Sequence, residues 1–585
     1  MSSEAPLATP GRAGDWGLGR AFLVALAAIL LVSFSGVFDH SLWTPDEPRD
    51  AEVGREMFVS GDYVVPTVAG EPFLEKPPLA WWVMAGSYRA FGVSDGAARS
   101  ASALAGVLTL LLVFDLMRRV TDPFGALMAT LVAATTSGFF LHFHRVVVDP
   151  WLALFVMLGY WAFALAAFPR QAPGSEGRAR PSAAGIIGVY LACGLAFLVK
   201  GPVGVALLAA PVAAAVLVGR RWALLRSWAH VPGLLVFLAL CLVWPVLLYR
   251  RGGRELLNGF LLDNLVYRFV HAPEGAYSGG HHKPFWYYLT VFPLEVLPWL
   301  IAFPALLHWL KQRRWPAGWN SSALLFLAAV FPAGLILLSI PATKRGLYLL
   351  PLLAPLGATV GAWIAATARE ERSEKIDRGT QRLLLVLLAA ILALATAAAA
   401  ALYIKPSLLA RYKPDLSAFL GSAATPVLLG LSALALVGLG LRGARLWRRH
   451  PAQLGPLAAW MALALFALSG SLAFRAIDGF KNLHHMTAEL SQTGALSAGL
   501  IGYNLDETTL SVIPFDTNVV PKNTDDPAAL RRLMLKNPSG KLLVLERHLP
   551  ALPADVHSRL RLAWSWGEGS HRAYRLYDYS PAPAH

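Results

Sequence analysis

The sequence predicts an α-helical protein that crosses a membrane many times and ends in a small α/β domain. Three observations predict it. The 585 residues are 56% hydrophobic, with a mean hydropathy of +0.51, above the about 45–50% apolar content of soluble globular chains. Apolar runs of roughly 17–22 residues, long enough as helices to cross about 30 Å of hydrocarbon, recur from Ala21 to Arg475. Beyond about residue 476 the apolar runs shorten to strand length.

The runs number about thirteen, centred near residues 29, 108, 132, 159, 191, 210, 240, 297, 330, 356, 393, 432 and 465. The first is too long for the apolar region of a cleaved signal peptide, has no small-x-small site after it, and is expected to stay as a helix. Lys and Arg collect in alternate loops: Arg118/Arg119, Arg170/Arg178/Arg180, Arg220/Arg221/Arg226, Lys311/Arg313/Arg314, Arg369/Arg372/Lys375/Arg378 and Arg445/Arg448/Arg449. With the N-terminus inside, all fall on the cytoplasmic side. This bias accounts for most of the net charge of +15, so the charge gives no reason to invoke a nucleic-acid partner. Cys193 and Cys241 lie inside predicted spans, where they read as small buried residues rather than a disulfide or metal site.

Three outer segments are too long to be plain connections: 40–98, 250–287 and everything after about 476. The expected division is a transmembrane catalytic domain over 1–475, with its site on the loops 40–98 and 250–287, and a periplasmic α/β domain over 476–585. In the tail, GLIGYN (499–504) and KLLVLE (541–546) read as strands, and DDPAALRRLMLKN as a helix. No internal repeat is seen.

Directly after the first span comes WTPDEPRDAEVGREM, residues 43–57. Thr44-Pro45-Asp46-Glu47 has the form of a capping box, with Thr44 as N-cap, Pro45 at the first helical position and Glu47 reaching back. The rest reads as a helix lying flat on the membrane surface, with Ala51, Met57 and Phe58 on one face and charges on the other. On that reading the acids only start and solubilise a helix.

Other outer-side motifs give Asp46 company. FLEKPPLAWW (73–82) carries Glu75, Lys76 and an interface-type Trp81/Trp82 pair. HFHRVVVDPW (142–151) opens a span with Asp149. YSGGHHKPFWYY (277–288) clusters histidine, lysine and aromatics next to Tyr267 and Arg268. ATKRGLYLLP (342–351) places Lys344 and Arg345 at the outer end of a span, against the positive-inside trend. Cations so placed suit a phosphate or pyrophosphate at headgroup depth, so Lys76, Arg268, Lys344 and Arg345 are donor-phosphate candidates. Lipid headgroup contact and snorkelling remain the alternative. His281 and His282 with Glu75 are candidate ligands of a divalent metal, although adjacent histidines rarely share one ion. No cofactor is otherwise required.

The ordered motifs DEPRDAEVGREM, EKPPLAWW, VDPWLALF, HKPFWYY and KRGLYLLP resemble the bacterial aminoarabinose transferases of lipid A modification. These belong with the protein O-mannosyltransferases in the GT-C class of membrane glycosyltransferases. The resemblance covers the whole chain and is most specific in the first two motifs. It implies a polyprenyl-phosphate-sugar donor used at the periplasmic face of the bacterial inner membrane, with lipid A or another envelope molecule as acceptor. It places Asp46 at the reacting centre, Lys76 on the donor phosphate with Glu75 beside it, and matches Asp149 and Tyr348 to site positions; Asp46, Asp149 and Glu47 are the catalytic candidates, and Arg49, Glu75, Tyr348, His281 and His282 the substrate-binding ones. One departure is Lys344-Arg345-Gly346-Leu347-Tyr348, where aminoarabinose transferases tend to read K-L-P-x-Y; this leaves open the sugar and the acceptor.

Two other classes compete. A flippase or transporter for lipid-linked sugars would show broken helices or buried ion pairs near the bilayer midplane. A polysaccharide polymerase or ligase would share the layout without the Asp-Glu motif after the first span.

Overall fold

The computed structural model describes residues 16–168, 181–266, 282–370, 374–412, 415–496, 499–537, 539–567 and 572–580. They form two compact units. The first holds Met1–Asp39, Leu74–Ala80 and Arg99–Gly479; the second holds His40–Phe73, Trp81–Ala98 and Phe480–His585.

Among the described residues nine helices are long and apolar enough to cross a membrane. Two further pairs are bent at short breaks: Pro123–Ala134 with Ser137–Phe143, by 66°, and Tyr287–Glu295 with Trp299–Gln312, by 103°. Leu18–Phe34 and Pro202–Val218 are shorter apolar helices. Twelve of the run centres read from the sequence fall inside these helices or their short continuations, and the one near residue 297 falls at the break of the second bent pair.

At the heart of the first unit the Leu350–Thr367 helix is buried along its whole length. It packs against Pro123–Ala134 through small residues spaced four apart. A Cβ on Gly357 would meet Ala133 Cα at 2.5 Å, and one on Gly361 would meet Ala129 Cα at 2.4 Å. In hydrocarbon such close backbone approach replaces the hydrophobic effect as the source of helix–helix attraction. By contrast, the Lys375–Ile404 and Ala424–Arg449 helices leave most of their apolar windows uncovered, exposing Val386, Leu394, Leu434 and Val437, as suits a face turned to lipid. Cys193 is buried and Cys241 half-buried, both as free thiols on helices.

In the second unit the C-terminal sheet runs in the order Lys522–Thr524, Ile501–Tyr503, Gly540–Leu545, Tyr574–Tyr579, Leu560–Trp566. The first three strands are parallel and the last two join antiparallel. Helices Glu507–Thr517 and Pro527–Lys536 follow the two short strands, the crossovers that parallel pairing requires. Asp506 and Asp526 cap them by accepting backbone N–H bonds. All three tail segments singled out in the sequence take their expected form.

Two expectations for the first loop are corrected here. Thr44 does not cap a helix: the helix is Glu47–Ser60, Asp46 occupies the N-cap position, and Pro48 sits in the first turn. Glu47 instead accepts the Trp43 amide at 3.1 Å, one residue further back than a capping box needs. Nor does this helix lie amphipathically on a surface. Glu47, Asp50, Glu52 and Arg55 are buried alongside Ala51, Val53 and Met57, because each charge finds a partner within the unit.

Candidate active site

The first unit collects one polar cluster at the ends of its helices. Asp149 opens the Asp149–Ala167 helix, with Pro150 behind it. Lys200 closes the Ala183–Lys200 helix. A carboxylate at the positive end of one helix and an ammonium at the negative end of another each meet a favourable dipole. They also meet each other, Lys200 Nζ to Asp149 Oδ1 at 2.5 Å, with only 14% and 5% of the side chains exposed. Gly201, at φ +61° and ψ −148°, takes a conformation that only glycine adopts easily, so the chain can enter Pro202–Val218 at once. Lys200 Nζ also lies 4.0 Å from the centre of the Tyr348 ring, within cation–π range.

Tyr348 lies in the Gly346–Leu349 turn leading into the buried central helix. The structure ties the segment just before it to the histidine–aromatic motif. His282 and Thr343 form an antiparallel bridge, Lys283 N donates to Ala342 O at 3.0 Å, and buried Lys344 donates through Nζ to the carbonyls of Lys283 (3.1 Å) and Pro341. Arg345 is half-buried beside it, while His282 is exposed. Tyr288 is buried; Phe285 and Trp286 are exposed, as membrane-interface anchors would be. Close to the same turn, Glu295 pairs with His142 at 3.0 Å, and its other carboxylate oxygen would lie 3.1 Å from a Cβ on Gly346. Glu75 and Lys76 occupy a half-buried bend just before the Leu79–Phe91 helix. Arg268, Tyr267 and His281 lie outside the described residues.

In the second unit Asp46 and Arg49 face each other across one helical turn, Oδ1 to Nη2 at 3.2 Å. The Asp46 carboxylate caps no backbone amide of its own helix. Arg49 also donates to Glu507 at 2.9 Å and lies 5.5 Å over the Phe73 ring. Asp50, Glu52 and Glu56 behave as structural acids: Asp50 accepts the Trp81 indole N–H at 2.9 Å, Glu52 holds Arg55 through two bonds of 2.7 Å, and Glu56 accepts the Gly70 amide. Burial outweighs Arg55 and pushes the Glu52 carboxyl up to about 8. His484 is clamped between Asp516 (2.8 Å) and Asp95 (2.7 Å), and these two acids raise it to about 10 against the opposing pull of burial.

Among the described residues no group of three or more His, Cys, Asp and Glu side chains could hold a metal ion. Sequence reasoning missed three participants. Lys200 was detectable as a further cation at the mouth of a span, by the rule that singled out Lys344. Glu295 was detectable as an acid inside an apolar run. Glu507 gave no signal beyond opening a helix.

Residues 75–249 match the family model described as dolichyl-phosphate-mannose-protein mannosyltransferase. Curated relatives named undecaprenyl phosphate-α-4-amino-4-deoxy-L-arabinose arabinosyl transferase match over part of the chain. That of Edwardsiella ictaluri is 32% identical over 55% of either chain, and that of Sodalis glossinidius, its number 2 enzyme, 31% over 60% of either. The chain thus spans less than two thirds of the length of these relatives. The crystal structure of ArnT from Cupriavidus metallidurans bound to undecaprenyl phosphate superposes with a TM-score of 0.72 at 21% identity, covering 95% of this chain and 97% of that one. The chain has the ArnT fold. The apo form of the same enzyme agrees, with a TM-score of 0.72 at 22% identity. The likeness read from the motifs therefore holds in sequence over part of the chain and in fold over nearly all of it.

Proposed function

We propose that this protein transfers 4-amino-4-deoxy-L-arabinose from an undecaprenyl-phosphate donor to the phosphates of lipid A at the periplasmic face of the bacterial inner membrane. The observation that carries the proposal is the whole-chain likeness to ArnT solved with undecaprenyl phosphate, together with partial matches at 31–32% identity to transferases named for this sugar. The N-terminus is assigned to the cytoplasm and the second unit to the periplasm, which keeps the basic loops inside.

A lipid A phosphate oxygen attacks the anomeric carbon, and the carbon–oxygen bond to undecaprenyl phosphate breaks. A single displacement inverts the configuration. The nucleophile is already anionic, so no base has to take its proton, and Asp46 is assigned to hold the sugar's amine or hydroxyls, with Glu47 and Arg49 supporting it. The leaving group is an anion that needs electrostatic stabilisation more than protonation. Lys76, Arg345 and Arg268 are assigned to it, with the Lys200–Asp149 pair and Tyr348 alongside. Lys344, bonded to two carbonyls, is assigned the part of holding residues 283–288 in place while adding its charge.

A second reading is favoured by the match of residues 75–249 to the mannosyltransferase family: a polyprenyl-phosphate-hexose transferase acting on protein hydroxyls. There Asp46 becomes a general base within about 3 Å of the acceptor oxygen. Mass spectrometry of lipid A from cells with and without the gene separates the two. An aminopentose increment on the phosphates, lost on deletion and in an Asp46→Asn strain, is expected; unchanged lipid A with altered envelope proteins would favour the second reading.

A further inference from the structure

Two bent helix pairs, Pro123–Ala134 with Ser137–Phe143 and Tyr287–Glu295 with Trp299–Gln312, lean on each other at their breaks. Ser137 N donates to Leu297 O at 2.8 Å, Ser137 Oγ to Leu294 O, and the Trp299 indole to Thr135 O at 3.1 Å. Backbone groups freed by a break inside a membrane must find partners, and here each break supplies the other. Glu295, the last residue of Tyr287–Glu295, adds a charged side chain to this junction. Its Oε2 meets His142 Nε2 at 3.0 Å, with 15% and 8% of the two side chains exposed. That oxygen fills the space beside Gly138, where a Cβ would come within 2.1 Å of it; Oε1 lies against Gly346, 3.1 Å from where a Cβ would be.

One carboxylate thus touches two separate pieces of chain. The His142 side leads seven residues on to Asp149, and the Gly346 side leads two residues on to Tyr348. Asp149 and Tyr348 are the residues that meet Lys200 from either side. We infer that Glu295, held by His142, is a positioning residue that fixes the register between the Asp149 and Tyr348 segments and so sets affinity for the donor phosphate. The inference rests on the donor assigned above.

The test uses the purified full chain in nanodiscs, measuring binding of undecaprenyl phosphate alone and the KM and kcat for the sugar-bearing donor. Removing a hydrogen bond to a charged group predicts about a tenfold change. Glu295→Ala is expected to raise both the undecaprenyl phosphate Kd and the donor KM by that factor, with kcat within about twofold, and Glu295→Gln, which keeps the shape, to recover most of the loss. His142→Leu, which removes the ring nitrogen that holds Glu295, is expected to raise donor KM about threefold; it decides the matter if the alanine variant does not fold. Wild-type Kd and KM in a folded Glu295→Ala or His142→Leu protein would overturn the inference while leaving the donor assignment intact. Absence of undecaprenyl phosphate binding by the wild type would instead overturn the donor assignment, and the inference with it.

Discussion

Lys200 and Asp149 form an ion pair of 2.5 Å across the ends of two helices, buried to 14% and 5% side-chain exposure. Truncating one member of such a pair strands the other charge, which typically costs about 3–5 kcal/mol, whereas neutralising both is far milder. Lys200→Met and Asp149→Asn are each expected to lower the thermal unfolding midpoint in detergent, and the double variant to recover most of it. Sugar transfer is expected to be lost in all three. A double variant as unstable as either single one would refute the pairing.

Asp46 contributes differently. Its carboxylate pairs with the largely buried Arg49 at 3.2 Å, so Asp46→Asn is expected to lower the unfolding midpoint modestly, while transfer per folded molecule falls about 100-fold or more. Undiminished turnover would remove Asp46 from the reaction under either acceptor.

Asp50 is the control for Asp46, four residues away. Its bond to the buried Trp81 indole predicts that Asp50→Ala costs about 1–3 kcal/mol of stability by leaving the indole N–H unsatisfied. In contrast to Asp46→Asn, the surviving folded fraction is expected to keep near-normal turnover per molecule.

Glu52 gives a pH dependence with a definite sign. Its carboxyl rises from 4.5 to about 8 in the folded protein, so the folded state binds the extra proton and stability falls as pH rises from about 4.5 to 8. A declining unfolding midpoint over this range, flattened in Glu52→Gln, is the expected result; a midpoint that rises over it equally in both proteins would contradict the assignment.

Gly361 tests the helix packing. A methyl there would meet Ala129 Cα at 2.4 Å, so Gly361→Ala must push two backbones apart, at about 1–3 kcal/mol for overpacking. Gly430, with nothing within 4 Å of a Cβ, is expected to accept alanine without loss.

The sequence by itself determined the membrane class, the place of nearly every span, the strands and helix of the tail, and the motifs that carry the likeness to aminoarabinose transferases. Hydropathy and turn chemistry act over a few residues, because a helix in lipid satisfies its own backbone wherever it runs. The local readings failed where a short side chain had a choice of partners: Glu47 bonds Trp43 rather than Thr44, and the charges of the Glu47–Ser60 helix turn inward. Only the tertiary structure decided which distant groups meet. Lys200 and Asp149 are 51 positions apart, Lys344 and Lys283 61, and Glu295 and His142 153. No local pattern encodes such separations, since packing between helices sets them and a buried charge can stay only where another element brings its partner.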